Sequence, residues 1–194
     1  MYLKEITKEE VNDLPVEKYE GNLVLITTQE QIKEALKEIY KHKVLGFDTE
    51  TKPAFKKGEY NSVSLLQIAT TDAVYLFRLN LTGFTKELTN LFRDSTILKI
   101  GISIRDDIKE LRKLREFEPD GIIELNTIAK ELGVKHEGVR SLSAIFLQIR
   151  ISKTQQTTNW EREVLNEKQL RYAATDAWVC LEIYNRLLYK GYLN

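Results

Sequence analysis

Cysteine is nearly absent from this chain. Its one example, Cys180, cannot form an internal disulfide, so a reducing compartment, the cytoplasm, is the expected setting. Cys180 itself reads as a small buried apolar residue. No run of 18 apolar residues occurs, so no membrane span is expected. The opening MYLKEITKEEVNDLP carries acids where a secretory leader would carry an apolar stretch. There is no G-x-G-x-x-G and no phosphate-loop motif, which removes the main sequence support for a nucleotide-cofactor enzyme. An excess of one charge is also missing. Lys plus Arg number 29 and Asp plus Glu number 29, a formal net charge of zero. No internal repeat or low-complexity tract breaks the 194 residues, a length that can bury a sizeable core in one domain.

What the chain does have is acids in apolar surroundings, spread over three segments: Asp48 and Glu50 in VLGFDTET, Asp107 in LKIGISIRDDIKEL, and Asp176 in LRYAATDAWVCLEIY. An unpaired charge among apolar residues is costly. A hard divalent cation with oxygen ligands is the natural compensation. The first segment reads as a strand. Side chains alternate along a strand, so Asp48 and Glu50 share a face and repel unless a cation lies between them. Alone, such a pair is also found where a strand runs out into solvent.

In the second segment TILKIGI reads as a strand and SIRDDIKELRKL as a helix, with Ser103 as its N-cap. At about 100° per residue, Ile104, Ile108, Leu111 and Leu114 share one face. Asp107 borders that face and Asp106 points away. Both acids also suit the first turn of a helix on dipole grounds alone. The third segment predicts a long helix from Glu167 to Tyr189 in which Tyr172 and Asp176 lie one turn apart.

Taken together, FDTE, GISIRDDIKEL and YAATD resemble the three motifs of the DEDD superfamily of 3′–5′ exonucleases, in the tyrosine subgroup that includes RNase D and the Werner-type exonuclease domain. SVSLLQIAT and SKTQQTTNWEREVLNEKQLRYAATDA are similar as well, and the resemblance runs from about Leu23 to the C-terminus. One position departs. Many members carry asparagine four residues before the second-motif aspartate, where this chain has Ser103.

The resemblance implies a ribonuclease-H-like α/β fold, a mixed sheet with helices on both faces. It implies a hydrolase that removes nucleoside 5′-monophosphates from the 3′ end of DNA or RNA. Asp48, Glu50, Asp107 and Asp176 would hold two magnesium or manganese ions, and Tyr172 would orient the attacking water. The histidines, His42 and His136, lie outside the third motif, so a histidine base is not expected. Two divalent ions would also turn the balanced charge locally positive where phosphate binds. Lys52, Phe55, Leu66 and Lys153 are the expected substrate contacts. The loop TKPAFKKGEY, with Lys52, Lys56, Lys57, Phe55 and Tyr60, could hold a phosphate and stack a base, or be a solvated lysine-rich loop. Trp160 reads as an anchor for the polar loop that begins at Lys153. A nucleic-acid strand with a free 3′ end is the implied partner, and no protein partner is legible. The alternative is a nucleic-acid-binding module of the same fold that has lost catalysis.

The remaining pattern gives a strand at GNLVLIT, a helix from Gln29 to His42, and three strands, VLGFDTE, SVSLLQIAT and AVYLFRL, close enough for hairpin connections. A short helix from Lys86 to Arg93 follows. GIIELN leads into shorter helices near Thr127–Leu132 and Ser141–Gln148. The expected division is an N-terminal extension over residues 1–20, with a turn at Asn12–Pro15, and an exonuclease domain over 21–194.

Overall fold

The computed structural model describes residues 3–56 and 58–193. Helix α1 (Lys8–Asp13) is followed by β1 (Asn22–Ile26), α2 (Gln29–Ile39), β2 (Val44–Thr51), β3 (Val63–Ala69) and β4 (Ala73–Arg78). Then come α3 (Leu79–Thr82), α4 (Lys86–Arg93), β5 (Leu98–Gly101), α5 (Arg105–Leu114), β6 (Ile122–Glu124), α6 (Leu125–Glu131), α7 (Val139–Leu147) and α8 (Glu167–Tyr189). The strands form one mixed sheet in the order β1-β4-β3-β2-β5-β6. The expected hairpins are present: β2–β3 and β3–β4 are antiparallel, while β1–β4, β2–β5 and β5–β6 are parallel.

Alternation in β2 sorts its side chains between two layers. Leu45 and Phe47 enter a core with Leu36 and Ile39 of α2, Leu88, Leu91 and Phe92 of α4, and Leu111 of α5. Phe47 meets the edge of Phe92 at a centroid distance of 5.3 Å, an arrangement aromatic quadrupoles favour. On the other side of the sheet, Ala173, Ala174, Ala177 and Leu181 of α8 pack on Leu65, Ala69, Val74 and Leu76. Helices α6 and α7 join α8 in a further core with Ile100 and Ile102. The expected two-sided α/β sandwich is therefore the observed one. Among the described residues, no helix is long and apolar enough to cross a membrane.

Helix α8 runs over the expected residues because its start is strongly encoded. Asn166 accepts from the Gln169 N–H at 3.0 Å, and the Gln169 side chain accepts from the Asn166 N–H at 3.2 Å. The start of α5 differs from expectation. Ser103 is not its N-cap: it has φ 60° and precedes Ile104, which occupies the cap position without a side-chain hydrogen bond. Glu124 at the end of β6 does the capping instead. Its carboxylate accepts from the Ser103 N–H at 2.8 Å and the Ile104 N–H at 3.0 Å.

Residues 3–20 contain more structure than the turn signal suggested. Thr7 and Glu10 form a capping box that starts α1, which takes in Asn12 and Asp13 of the expected turn. Ile6, Val11 and Tyr19 are buried. The segment lies along the 135–150 region: the Lys135 N–H donates to the Lys4 carbonyl at 3.0 Å, and the Arg150 N–H donates to the Pro15 carbonyl at 2.8 Å.

Candidate active site

Three carboxylates from two elements converge. Asp48 and Glu50 project from the same face of β2 towards α8, which supplies Asp176. One ligand oxygen from each of the three lies within 4.8 Å of the others. Gly46 permits this approach. A Cβ there would sit 2.1 Å from the Ala177 carbonyl oxygen and 2.9 Å from the Leu181 nitrogen, so a larger residue would push α8 off the strand. Two residues further along the same face comes Asp48, which meets the helix at Asp176.

Asp107 stands outside this group of three, on α5. It is half-buried while Asp106 is exposed, as the helical phase requires. The Thr49 hydroxyl donates to Asp107 Oδ1. Thr49 lies between the two β2 acids and points to the opposite face, so one strand presents two carboxylates on one side and tethers a third from the other. Sequence reasoning missed Thr49, although its place between Asp48 and Glu50 in FDTET was the available signal. It also missed Glu124 and Asn126. Asn126 donates to Ser103 Oγ at 3.1 Å and to the Glu137 carbonyl at 2.9 Å. These residues fix the β5–α5 turn that carries Asp107, at the position where the resemblance departs.

The electrostatics are those of uncompensated acids. Burial, then the charges of Asp176, Asp107 and Glu50, hold Asp48 well above the usual carboxylate range. Burial, with Asp176 and Asp107, pushes Glu50 up to about 9. Burial pushes Asp176 up to about 7, against a hydrogen bond from Tyr172 and the charge of Lys153, which both pull it down. Asp107 is raised by burial, opposed by the Thr49 hydrogen bond. Among the described residues, no lysine or arginine forms an ion pair with any of these four acids. An all-oxygen donor set that is buried, crowded and unpaired fits a hard divalent cation. Burial and the neighbouring acids also raise Tyr172, so its hydroxyl keeps its proton and remains a donor. Cys180 is buried beside Asp48 and Asp176 and its thiol is pushed up, leaving it inert.

The expected substrate contacts separate. Lys153 is exposed and lines a cavity of about 380 Å³ together with Tyr172 and Asp176. Lys52 lies 3.4 Å from Glu161, both partly exposed. Phe55 is 81% exposed, open to contact. Leu66 is a correction: it is fully buried in the aromatic core, on the sheet face away from Asp48 and Glu50. Its place opposite Thr49 in the β2–β3 register forces that orientation. Lys56 is exposed, and Lys57 lies outside the described residues. Tyr60 donates to Glu110 and receives Lys113 over its ring, which ties the loop to α5. Trp160 is fully buried, its ring 6.1 Å from that of Tyr172, so it anchors the polar loop beneath the site.

The 3′–5′ exonuclease family matches residues 23–191. Exonuclease 3′-5′ domain-containing protein 2 of Drosophila melanogaster is 31% identical over 165 residues, which is 83% of this chain and 28% of that protein. The bifunctional 3′-5′ exonuclease/ATP-dependent helicase WRN of Mus musculus is 31% identical over 153 residues, 74% of this chain and 11% of that protein. The chain thus spans well under a third of either relative's length. The crystal structure of the Aedes aegypti Nibbler EXO domain superposes with a TM-score of 0.80 at 23% identity, covering 90% of this chain and 94% of that one, a likeness of fold.

Proposed function

Because the chain belongs to the 3′–5′ exonuclease family, we propose that it hydrolyses nucleic acid stepwise from a free 3′ end and releases nucleoside 5′-monophosphates. The observation that carries this reading is the meeting of Asp48, Glu50 and Asp176 within 4.8 Å, unpaired, one helical turn from Tyr172. Asp48, Glu50 and Asp176 would hold the metal, and Asp107, tethered by Thr49, would complete the set. Two magnesium or manganese ions bound there would supply Lewis acidity at the phosphate and a water acidic enough to attack at neutral pH.

The rest of the chemistry belongs to the chain. Tyr172 stays protonated and holds the water in line through its hydroxyl. Tyr172 lies one helical turn from Asp176, which places its hydroxyl beside the carboxylates. Trp160 packs beside Tyr172 and limits its movement. Lys153 and Lys52 offer positive charge to the strand's phosphates, and Phe55 offers a face on which a base can stack.

Matched DNA and RNA strands, labelled at either end and digested with and without magnesium, test the reading. A 5′-labelled ladder shrinking from the 3′ end, with mononucleotide product and no cleavage in EDTA, is expected. Shortening from the 5′ end overturns the polarity. Tight binding with no cleavage by the folded, metal-loaded protein would instead identify a silent binding module.

A further inference from the structure

The cavity that holds Lys153, Tyr172 and Asp176 has a second wall, which the acidic site does not use. That wall is built by Lys8, His136 and Arg140. It therefore includes residues from a segment that precedes the family's match at 23–191. The segment is held in place by backbone and side-chain bonds. The Ile6 N–H donates to His136 Nε2 at 3.2 Å, and Arg140 Nη2 donates to Asn12 Oδ1 at 2.7 Å. The Glu17 N–H donates to the Arg150 carbonyl at 2.9 Å.

The two walls differ in charge. One carries the carboxylates, the other carries cations with little to satisfy them. Lys8 is exposed and makes no ion pair among the described residues. Arg140 Nε is buried without a hydrogen-bond partner, a cost that a ligand or water would remove. Helix α7 begins at the same wall with Gly138 at its N-cap and no side-chain cap, which leaves its first N–H groups open to an acceptor. This cavity and a smaller one of about 150 Å³, lined by Asp48 and Ser103, share Val139 and Asp176. The cationic wall is thus continuous with the acidic site.

A polyanionic strand with its terminal linkage at the carboxylates must continue in the 5′ direction, where only a cationic surface welcomes its next phosphate. We propose that this cleft is a subsite for the phosphate one linkage upstream of the scissile one, with Lys8 and Arg140 as its contacts. The segment before the family's match then takes part in substrate binding. This rests on the exonuclease reading above and adds a specific contact to it.

Lys8→Ala and Lys8→Glu are suitable variants because the side chain is exposed and fills no core. Two substrates separate the effects: a 5′-labelled single strand, and the p-nitrophenyl ester of thymidine 5′-monophosphate, which has no upstream phosphate. With the strand, KM should rise roughly 3–10-fold for Lys8→Ala, more for Lys8→Glu, at unchanged kcat. The slope of log affinity against log salt should shrink by about 0.7. Hydrolysis of the ester should not change. Unaltered KM and salt slope with the strand would overturn the subsite, as would an equal loss on both substrates. A wild type that cleaves neither substrate would overturn the exonuclease reading; unaltered strand affinity and salt slope in Lys8→Glu would then still reject the subsite separately.

Discussion

Strand β2 has two faces that obey opposite rules. Leu45 and Phe47 look into a buried core rich in aromatic rings. Gly46, Asp48 and Glu50 look the other way, at a helix that comes close enough to forbid a Cβ. The first face stabilises the fold by burying surface. The second costs stability, because three carboxylates are forced together with no cation of the protein's own. Residues alternating along eight positions therefore divide the work of holding the sheet and preparing the site. The difference teaches that the acidic face persists because the apolar face and the packed α8 hold it in place.

That division can be broken from either side. Asp48→Asn should abolish cleavage, by more than the roughly 10²–10³-fold typical of losing one electrostatic group. It should leave the metal-free fold as stable or more so, because one repelling charge is gone. Phe47→Ala should do the reverse in kind, costing about 3–5 kcal/mol in a urea melt. Equal stability losses in the two variants would end the comparison. Tyr172→Phe should come next, slowing single-turnover cleavage roughly 10–10³-fold with metal affinity unchanged. Wild-type rates would recast Tyr172 as packing.

Gly46→Ala sharpens the comparison at its closest contact. The Ala177 carbonyl cannot move out of the way as a flexible side chain could, so a loss of about 1–3 kcal/mol is expected, with a parallel fall in activity. The smallest effect belongs to Asp106, set against its neighbour. Asp107→Ala should inactivate, while Asp106→Ala should leave stability within about 0.5 kcal/mol and activity near wild type. An inactive Asp106→Ala would reverse the assignment.

Much of this was legible because periodicity and local hydrogen bonding decide it. Alternation put Asp48 and Glu50 on one face, helical phase separated Asp107 from Asp106, and the third segment was read as a helix from Glu167 to Tyr189, the bounds of α8. What stayed hidden depends on contacts distant in sequence. Glu124 caps α5 from another strand, 21 residues from Ser103, so the local serine signal pointed to the wrong cap. Thr49 matters only because Asp107 arrives beside it, 58 residues later. Leu66 sat in an apolar run whose two faces look alike in sequence, and only the pairing register turns it inward. Helix α1 was overlooked because its single buried residue, Val11, gives almost no periodic pattern.

The central claim is that the acidic face of β2 is destabilised until a cation fills it. Glu50 is raised from 4.5 to about 9 and Asp176 from 3.8 to about 7, both chiefly by burial. A carboxyl whose folded pKa is raised binds more protons folded than unfolded, so its favourable contribution is complete below the unfolded pKa and is lost as pH rises through the folded one. The direct measurement is the melting temperature between pH 5 and pH 8, in EDTA and in manganese, for wild type and Asp48→Asn. The account predicts that metal-free wild type weakens as pH rises, that Asp48→Asn weakens less, and that manganese raises the wild-type melting temperature most at pH 8. A wild type whose melting temperature is flat across this range and unmoved by manganese would contradict it.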